Sequence, residues 1–280
     1  MSNTEKFVSD LIEDIETNRL VLPTLPEVAL RVRDAVDDPN SSASKIASIV
    51  VSDAALSGRL IQVVNSPLYR GRSPITDIQM AVSRMGMTVV RSLVTSLVMQ
   101  QIYQPTVEEL DKRLREIWEN STTVAALSNA LAKEYTRLKP DEAMLAGLIH
   151  NIGALPILMR AEEDEHLCHD IIALDAIIEE MHPQIGKIIL ESWDFPAQMV
   201  AVAAEHENYS RDSENGPDYT DVVQVANLQN FIGTRHPLAE LDWATVPAFA
   251  KLGIDTTVEE ISVEGVSEEA LNEVAGLLNA

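Results

Sequence analysis

The sequence is poor in several features that would assign it to common classes of protein. Cys168 is the single cysteine among 280 residues, which excludes an internal disulfide framework and favours the reducing cytoplasm. No run of about 18 apolar residues is present, so we expect no membrane span. The first 14 residues are acidic and amphipathic, unlike a signal peptide. Aromatic side chains make up only 4% of the chain.

Basic residues are scarce as well. Lys and Arg number 21 against 44 Asp and Glu, which gives a formal net charge of −23. Such a chain repels a phosphate backbone, so we expect no nucleic-acid partner. Solubility alone is a sufficient reason for the acidity. What the chain has in abundance is Ala, Leu, Val and Ile, within a hydrophobic content of 46%, and this composition predicts an all-α protein.

Apolar residues repeat with helical spacing along most of the chain. A first helix is predicted over residues 3–18 and a long one over residues 107–135. Three shorter helices need N-caps, for which neighbouring polar residues are available: Ser41 or Ser42, Ser52 or Asp53, and Thr76 with Asp77. His182-Pro183 predicts the end of one helix and the start of another. Residues 245–280 are predicted to form short closing helices.

The stretch from Pro140 to Leu158 organises the rest of the chain. It is predicted to be a buried helix that breaks at Asn151-Ile152-Gly153 and resumes in a second apolar run. One face of that helix carries small residues at i, i+3 and i+4 and an imidazole at i+7, namely Ala143, Ala146, Gly147 and His150. Small residues allow a neighbouring helix to approach closely, so we expect His150 and Asn151 to face the middle of a helical bundle.

An earlier segment carries a more specific pattern. Residues 52–69 read SDAALSGRLIQVVNSPLY, preceded by LPTLPEVALRV and followed by a helix that Ile75-Thr76 opens and Met85-Gly86 closes. This pattern resembles the amino-terminal half of an HDOD domain, a helical module of bacterial signalling related to HD-superfamily phosphohydrolases. The resemblance covers about residues 22–102, with a weaker HD-like half over residues 117–231. It implies a two-lobed helical fold with an N-terminal lobe at 1–105, an HD-like lobe at 106–237 and acidic closing helices at 238–280.

The resemblance also implies where a metal site would lie. HD phosphohydrolases hold a divalent metal with a His, an adjacent His-Asp pair and a late Asp, and some relatives add further histidines. The corresponding residues are Asn120, His150-Asn151 and Asn227, with the additional histidines at His182 and His206. Asn therefore replaces one imidazole and both carboxylates. A hard ion such as Mg²⁺ or Mn²⁺ needs carboxylate oxygen, so we expect a degenerate metal site without catalytic residues.

Two interpretations of the three histidines stay open. His150, His182 and His206 could form a nitrogen-rich site for Zn²⁺ or Ni²⁺. They could instead be core histidines that form hydrogen bonds with the three Asn side chains. We expect the second arrangement and hence no cofactor, with a divalent metal (Zn, Ni, Mn or Mg) as the alternative.

A positive island interrupts the acidic sequence. Between Ala54 and Gln101 the charged residues are Asp77 and five arginines: Arg59, Arg70, Arg72, Arg84 and Arg91. Guanidinium groups suit carboxylate and phosphate partners, so these arginines could contact an anionic partner. They could equally cap helix C-termini and pair with the protein's own acids. The sequence leaves both interpretations open.

These observations predict a non-catalytic, cytoplasmic module of bacterial signal transduction or regulation. We expect it to bind a signalling protein or a small anionic ligand, and neither nucleic acid nor a membrane. The alternative is a metal-dependent phosphohydrolase acting on a phosphoester, against which the three Asn residues count. The sequence leaves the oligomeric state open.

Overall fold

Helices are the only regular secondary structure in the part of the computed structural model that is described, residues 3–17, 19–103, 108–164, 166–213, 216–257, 261 and 267–279. The first helices are α1 Asn3–Glu16, α2 Glu27–Asp37, α3 Ala43–Val51, α4 Ala54–Asn65, α5 Ile78–Met85 and α6 Met87–Met99. Then follow α7 Glu108–Tyr135, α8 Pro140–Ile149, α9 Ala154–Ala161, α10 Ile171–Ser192, α11 Ala197–Glu205, α12 Tyr219–Asn230, α13 Pro247–Leu252 and α14 Glu268–Asn279. The all-α prediction is confirmed.

Short polar side chains begin the helices of the N-terminal segment. Ser42, Asp53 and Asp77 each accept a hydrogen bond from the backbone N–H three residues further on. Each bond satisfies one of the N–H groups that the first turn of a helix leaves without a partner. Of each predicted pair of N-cap candidates, the second residue is therefore the one that caps the helix.

The helices form two lobes that share one core. Helices α2 to α6 pack on one another, whereas α7 packs on α8 and α12, and α10 packs on α9 and α11. Helix α8 also contacts α6, and α14 lies on both α4 and α7. The buried apolar residues accordingly form one cluster that extends from Phe7 to Leu278. The predicted lobe boundary at residues 105 and 106 lies outside the described residues, and the boundary at 237 stays a prediction.

Pro183 does not end a helix, and this part of the sequence prediction is wrong. Helix α10 continues through Pro183 from Ile171 to Ser192. Proline cannot donate a hydrogen bond to the carbonyl four residues earlier, which here belongs to Glu179. The imidazole of His182 lies beside this turn, with Nδ1 2.7 Å from the carbonyl oxygen of Ile178 and a further interaction with the carbonyl of Glu179. The ring thus donates to the carbonyl one residue before the one that Pro183 leaves without a backbone donor.

Two glycines set the spacing around the turn after α8. A Cβ on Gly147 would lie 2.8 Å from the Cα of Ala125 in α7, and a Cβ on Gly153 would overlap the backbone of His182 in α10. The predicted stripe of small residues therefore does let a neighbouring helix approach. Because both glycines permit backbone contact, the turn that carries Asn151 is held between α7 and α10.

One stretch, Pro140–Ala161, is long and apolar enough to cross a membrane by length and composition alone. It contains no uninterrupted apolar run of that length, because Asp141, Glu142 and Arg160 lie near its ends. In the structure 89% of its most apolar window is buried inside the protein. A helix that is apolar on all sides and covered by protein is a core helix.

Candidate functional site: three histidines beside an acidic cavity

Five helices bring the predicted metal-site positions together. Asn120 from α7, Asn151 from the turn after α8, His182 from α10 and Asn227 from α12 line one cavity of about 580 Å³. The other two positions are fully buried next to it. The ring centroid of His206 lies 5.1 Å from that of His182 and 4.9 Å from that of His150. The side chains thus form one continuous polar group inside an apolar bundle.

Each histidine is oriented by its own helix. The Nδ1 atoms of His150, His182 and His206 lie 2.6, 2.7 and 3.0 Å from backbone carbonyl oxygens three or four residues earlier. Because a carbonyl only accepts, Nδ1 must carry the proton in each neutral ring, which leaves Nε2 as a bare lone pair. This differs from the predicted hydrogen bonds to Asn side chains, because the helix carbonyls are nearer to the rings than the amides are.

The Nε2 lone pairs of the three histidines lie close to one another or are enclosed by protein. Nε2 of His182 lies 3.2 Å from Nε2 of His206, and Nε2 of His150 is buried without a hydrogen-bond partner among the described residues. Burial lowers the pKa of His150 and of His182 to about 4, and that of His206 well below its usual value. The three rings are therefore neutral at pH 7, the form in which imidazole binds a metal.

The three Asn side chains bond elsewhere. The Nδ2 group of Asn151 donates to Oδ1 of Asn120 at 3.3 Å. Asn227 donates to the hydroxyl of Tyr209 at 3.2 Å, while its own Oδ1 is buried without a partner among the described residues. Two of the amides thus bond to each other and the third bonds to a tyrosine, whereas no bond joins an amide to a histidine ring among the described residues.

The charges around the cavity are mostly negative. Its charged lining consists of Arg113, Glu116, Asp175, Glu179 and Glu207. Arg113 donates to both Glu116 and Asp175, so Glu179 and Glu207 have no Lys or Arg partner within the described ranges. An anionic ligand would therefore meet an unfavourable potential here.

Sequence reasoning missed Glu207. Its Oε1 lies 3.7 Å from Nε2 of His182, and burial together with the charge of Glu179 raises its pKa to about 7. A signal was available, since the residue directly follows His206 at the end of α11.

The loop after Glu207 is anchored by charge. Arg211 pairs with Glu205, Asp218 and Asp221, and Lys251 also pairs with Asp221 at 3.2 Å. The side chain of Asp221 is completely buried, so its two cations replace the solvation it loses. This network fixes the backbone that carries Glu207 and Tyr209 at the cavity.

The hard metal that HD proteins imply does not fit these residues. Asn120 and Asn151 use their amides on each other, and neutral amide oxygens supply no charge to hold Mg²⁺ or Mn²⁺. His150 is the one imidazole of the adjacent residues His150-Asn151, and its Nε2 is enclosed by protein. We therefore derive no catalytic step through a metal at this pair.

The five arginines of the positive island separate into two groups. Three have partners within the protein: Arg59 donates to the carbonyls of Leu277 and Leu278, Arg84 to that of Ser73, and Arg91 to the carboxylate of Asp37. Arg70 and Arg72 are exposed, and their side chains form no hydrogen bond or ion pair with the described residues. The three bonded arginines thus agree with the interpretation that they cap helices or pair within the protein. Of the five, Arg70 and Arg72 are the two available to a partner.

Comparison with known proteins agrees with this architecture. The sequence model of the HDOD domain matches residues 22–209. The chain belongs to the HDOD family. A solved structure from Shewanella amazonensis SB2B, whose name proposes metal-dependent phosphohydrolase activity, is 32% identical, with a TM-score of 0.84 and coverage of 99% of this chain and 98% of that chain.

Two further proteins that the chain matches are more distant. A structure from Marinobacter aquaeolei VT8, whose name proposes a signal-transduction role, is 20% identical with a TM-score of 0.67, covers 100% of this chain and 67% of its own, and shows the fold alone. An uncharacterized protein of Treponema pallidum (strain Nichols) is 25% identical over 235 residues, which is 79% of this chain; the match spans 43% of that protein's length.

The HDOD motif has a structural role that its hydrogen bonds explain. Asn65 binds both backbone groups of Ile75, donating to the carbonyl at 2.7 Å and accepting from the N–H at 2.8 Å. This closes the loop that presents Arg70 and Arg72. Tyr69, at the end of the motif, accepts a hydrogen bond from Asn129 of α7 at 2.7 Å. The HDOD signature therefore fastens the N-terminal lobe to the HD-like lobe.

Proposed function

We propose that this HDOD chain is a non-catalytic regulatory module of bacterial signal transduction, which works in the cytoplasm by binding a partner rather than by converting a substrate. The observation that supports this most directly is the hydrogen bond between Asn120 and Asn151. By the resemblance to HD phosphohydrolases, this neutral amide pair corresponds to a His and an Asp. Without those anionic ligands a hard metal is not held, and no metal-bound water is activated.

The binding partner is proposed to be anionic and to contact the loop of Arg70 and Arg72. Both guanidinium groups are exposed on a loop whose ends Asn65 joins by two hydrogen bonds to Ile75. Carboxylates of a signalling protein, or a small anionic ligand, suit such a pair. The acidic lining of the cavity favours this loop over the cavity for an anion.

Hydrolysis assays separate this proposal from its alternative. The alternative is a metal-dependent phosphohydrolase, which the name of the 32% identical Shewanella protein favours. The purified protein should not hydrolyse phosphomonoester or phosphodiester substrates above background with Mg²⁺ or Mn²⁺. Metal-dependent turnover that disappears in Asn151→Ala would reject the non-catalytic function.

A charge-reversal pair tests the binding loop. Arg70→Glu with Arg72→Glu should abolish capture of cross-linked partners while circular dichroism stays unchanged, because both side chains lie outside the core. Lys112→Glu with Lys187→Glu gives the same change in net charge on exposed positions of α7 and α10 and should retain capture. Equal loss in both pairs would indicate a general charge effect and not a binding loop.

A further inference from the structure

The unpaired polar atoms at the inner end of the cavity have one chemical property in common. Nε2 of His150 and Oδ1 of Asn227 are buried without partners, and the carboxylate of Glu207 receives no hydrogen bond from the described residues. Nε2 of His182 and of His206 face each other as lone pairs. All of these atoms are acceptors. A buried group of acceptors is costly unless a donor or a cation completes it.

The distances select a metal ion over an organic cation. Zinc binds imidazole nitrogen at about 2.0–2.1 Å, so two such ligands on one ion are about 2.8–3.4 Å apart for bond angles between square and tetrahedral. The observed separation between the Nε2 atoms of His182 and His206 is 3.2 Å. Ligand atoms of His182, His206 and Glu207 all lie within 4.8 Å of one another. The two imidazoles therefore have the spacing of ligands on one ion, and the carboxylate of Glu207 is near enough to reach that ion by a small side-chain movement.

We propose that His182, His206 and Glu207 bind a borderline transition-metal ion such as Zn²⁺, with the remaining coordination positions facing the cavity. This site is displaced from the amide pair of Asn120 and Asn151. The inference goes beyond the proposed function, because the ion would join α10 to the end of α11 whether or not any substrate is converted.

The protein surrounding these ligands is arranged to support an ion. Histidine ligands in metal sites usually donate their second ring N–H to a carbonyl or a carboxylate, which fixes the ring and the tautomer. His182 and His206 do this through the carbonyls of Ile178 and Val202. Arg211 holds the loop that carries Glu207. Binding would thus require little rearrangement of the chain.

The donor set also predicts which metals bind. Two imidazoles and a single carboxylate suit Zn²⁺, Co²⁺ or Ni²⁺, whereas Mg²⁺ and Mn²⁺ prefer more oxygen. The proposed selectivity is therefore opposite to that of a carboxylate-rich hydrolase centre. The acidic lining of the cavity as a whole also favours a cation over an anion.

The experiment measures metal binding and not activity. Protein stripped with a chelator is titrated with Co²⁺, whose visible absorption reports coordination, and Zn²⁺ is then added in competition while the melting temperature is recorded. We expect one ion per chain, a rise in melting temperature with Zn²⁺ and none with Mg²⁺. Glu207→Gln should weaken binding by about 100-fold or more, because even changes to residues behind metal ligands cost about 10–100-fold.

Matched variants decide the assignment. Glu179→Gln removes a carboxylate from the same cavity without touching the proposed ligands, and should keep Zn²⁺ affinity within a few fold. Cys168→Ser removes the surface thiol, whose Sγ lies 3.0 Å from Nδ1 of His169, and should also keep it. His182→Gln is a second variant that removes a proposed ligand. If His182→Gln fails to fold, Glu207→Gln still tests the site, because Glu207 lies on a loop. The proposed site is rejected if Zn²⁺ does not raise the melting temperature of the parent. It is also rejected if Glu207→Gln leaves Zn²⁺ binding unchanged, or if Cys168→Ser abolishes it.

Discussion

Gly153 and His182 approach each other so closely that a Cβ on the glycine would overlap the carbonyl oxygen of the histidine. The backbone of Gly153 is ordinary, with φ of −66°, so the need for glycine is steric. The contact joins the turn of His150 and Asn151 to the helix of His182. It is therefore one of the features that bring the site together.

Gly153→Ala should destabilise the protein by about 3 kcal/mol, because the backbone of α10 would have to move away from the turn. Urea unfolding followed by circular dichroism measures this change. Gly58→Ala is the matched control, since Gly58 lies in α4 and a Cβ added there would have nothing within 4 Å. It should stabilise by about 0.5–1 kcal/mol, because alanine loses less backbone entropy in a helix. Similar unfolding midpoints for the two variants would contradict the steric argument.

The hydroxyl of Tyr69 should contribute to stability where the two lobes meet. It accepts a hydrogen bond from Asn129 at 2.7 Å and lies 3.7 Å from the sulfur of Met144. Tyr69→Phe removes an acceptor from a buried amide, and we expect a loss of about 1–2 kcal/mol in thermal or urea unfolding.

Tyr103→Phe provides the control for the same chemical change. The hydroxyl of Tyr103 is buried without a hydrogen-bond partner among the described residues, so its removal relieves a desolvation cost and should be neutral or stabilising. If both Tyr→Phe variants lose the same free energy, the bond between Tyr69 and Asn129 does not hold the lobes together.

The buried histidines should make the metal-free protein sensitive to mild acid. Burial holds the pKa of His150 at about 4 in the folded state, against about 6.5 in the unfolded chain. The unfolded state therefore takes up a proton first, and stability that is complete above pH 6.5 is lost as the pH falls towards 4. The raised pKa of Glu207 acts in the opposite direction, since its proton binds the folded state first as the pH falls below about 7.

This dependence is measured as the free energy of unfolding between pH 6.5 and pH 4.5 in chelator. His150→Gln should reduce the slope by about one proton, or roughly 1.4 kcal/mol per pH unit. Because the variant keeps Glu207 and the other two histidines, the difference between the curves isolates His150. Parallel curves for the variant and the parent would show that His150 is not held neutral by the fold.

The parts of the fold that sequence predicts well are those set by local chemistry. The break after α8 follows from Asn151-Ile152-Gly153, and short polar side chains mark the N-caps at Asp53 and Asp77. Pro183 misled the prediction because its local cost, about 3 kcal/mol in a helix interior, is outweighed by the packing of α10 on α9 and α11. Tertiary contacts of this kind are not visible in a local pattern.

In the candidate site, too, the features set by local pattern could be predicted and those set by tertiary contacts could not. Spacing and family resemblance located the histidines and the three Asn residues, because both depend on helix faces. The role of Glu207 depends on where a loop turns after α11, and that turn is set by Arg211 and the buried Asp221. Ion pairs between residues distant in the fold have no periodic signature, so the acidic lining of the cavity could not be predicted.

Restoring carboxylates tests whether the emptied positions still converge. Asn151→Asp with Asn227→Asp changes almost no side-chain volume, so the double variant should fold. With chelator present it should melt below the parent, because two more carboxylates face an already acidic cavity. A bound dication offsets that repulsion and adds stability by mass action, about 2.7 kcal/mol at a free concentration of 100 times the Kd.

We therefore expect the double variant to gain stability with Mn²⁺ or Mg²⁺. The parent protein should show no response to either ion. Adding Asn120→His to the double variant should tighten metal binding further. Melting temperatures with chelator, Mg²⁺ and Mn²⁺ measure this directly. A parent that is stabilised by micromolar Mn²⁺ would contradict the degenerate site and favour the phosphohydrolase. A double variant that ignores both ions would show that Asn120, Asn151 and Asn227 share a cavity but cannot hold one ion between them, since the amide pair keeps its two side chains directed at each other.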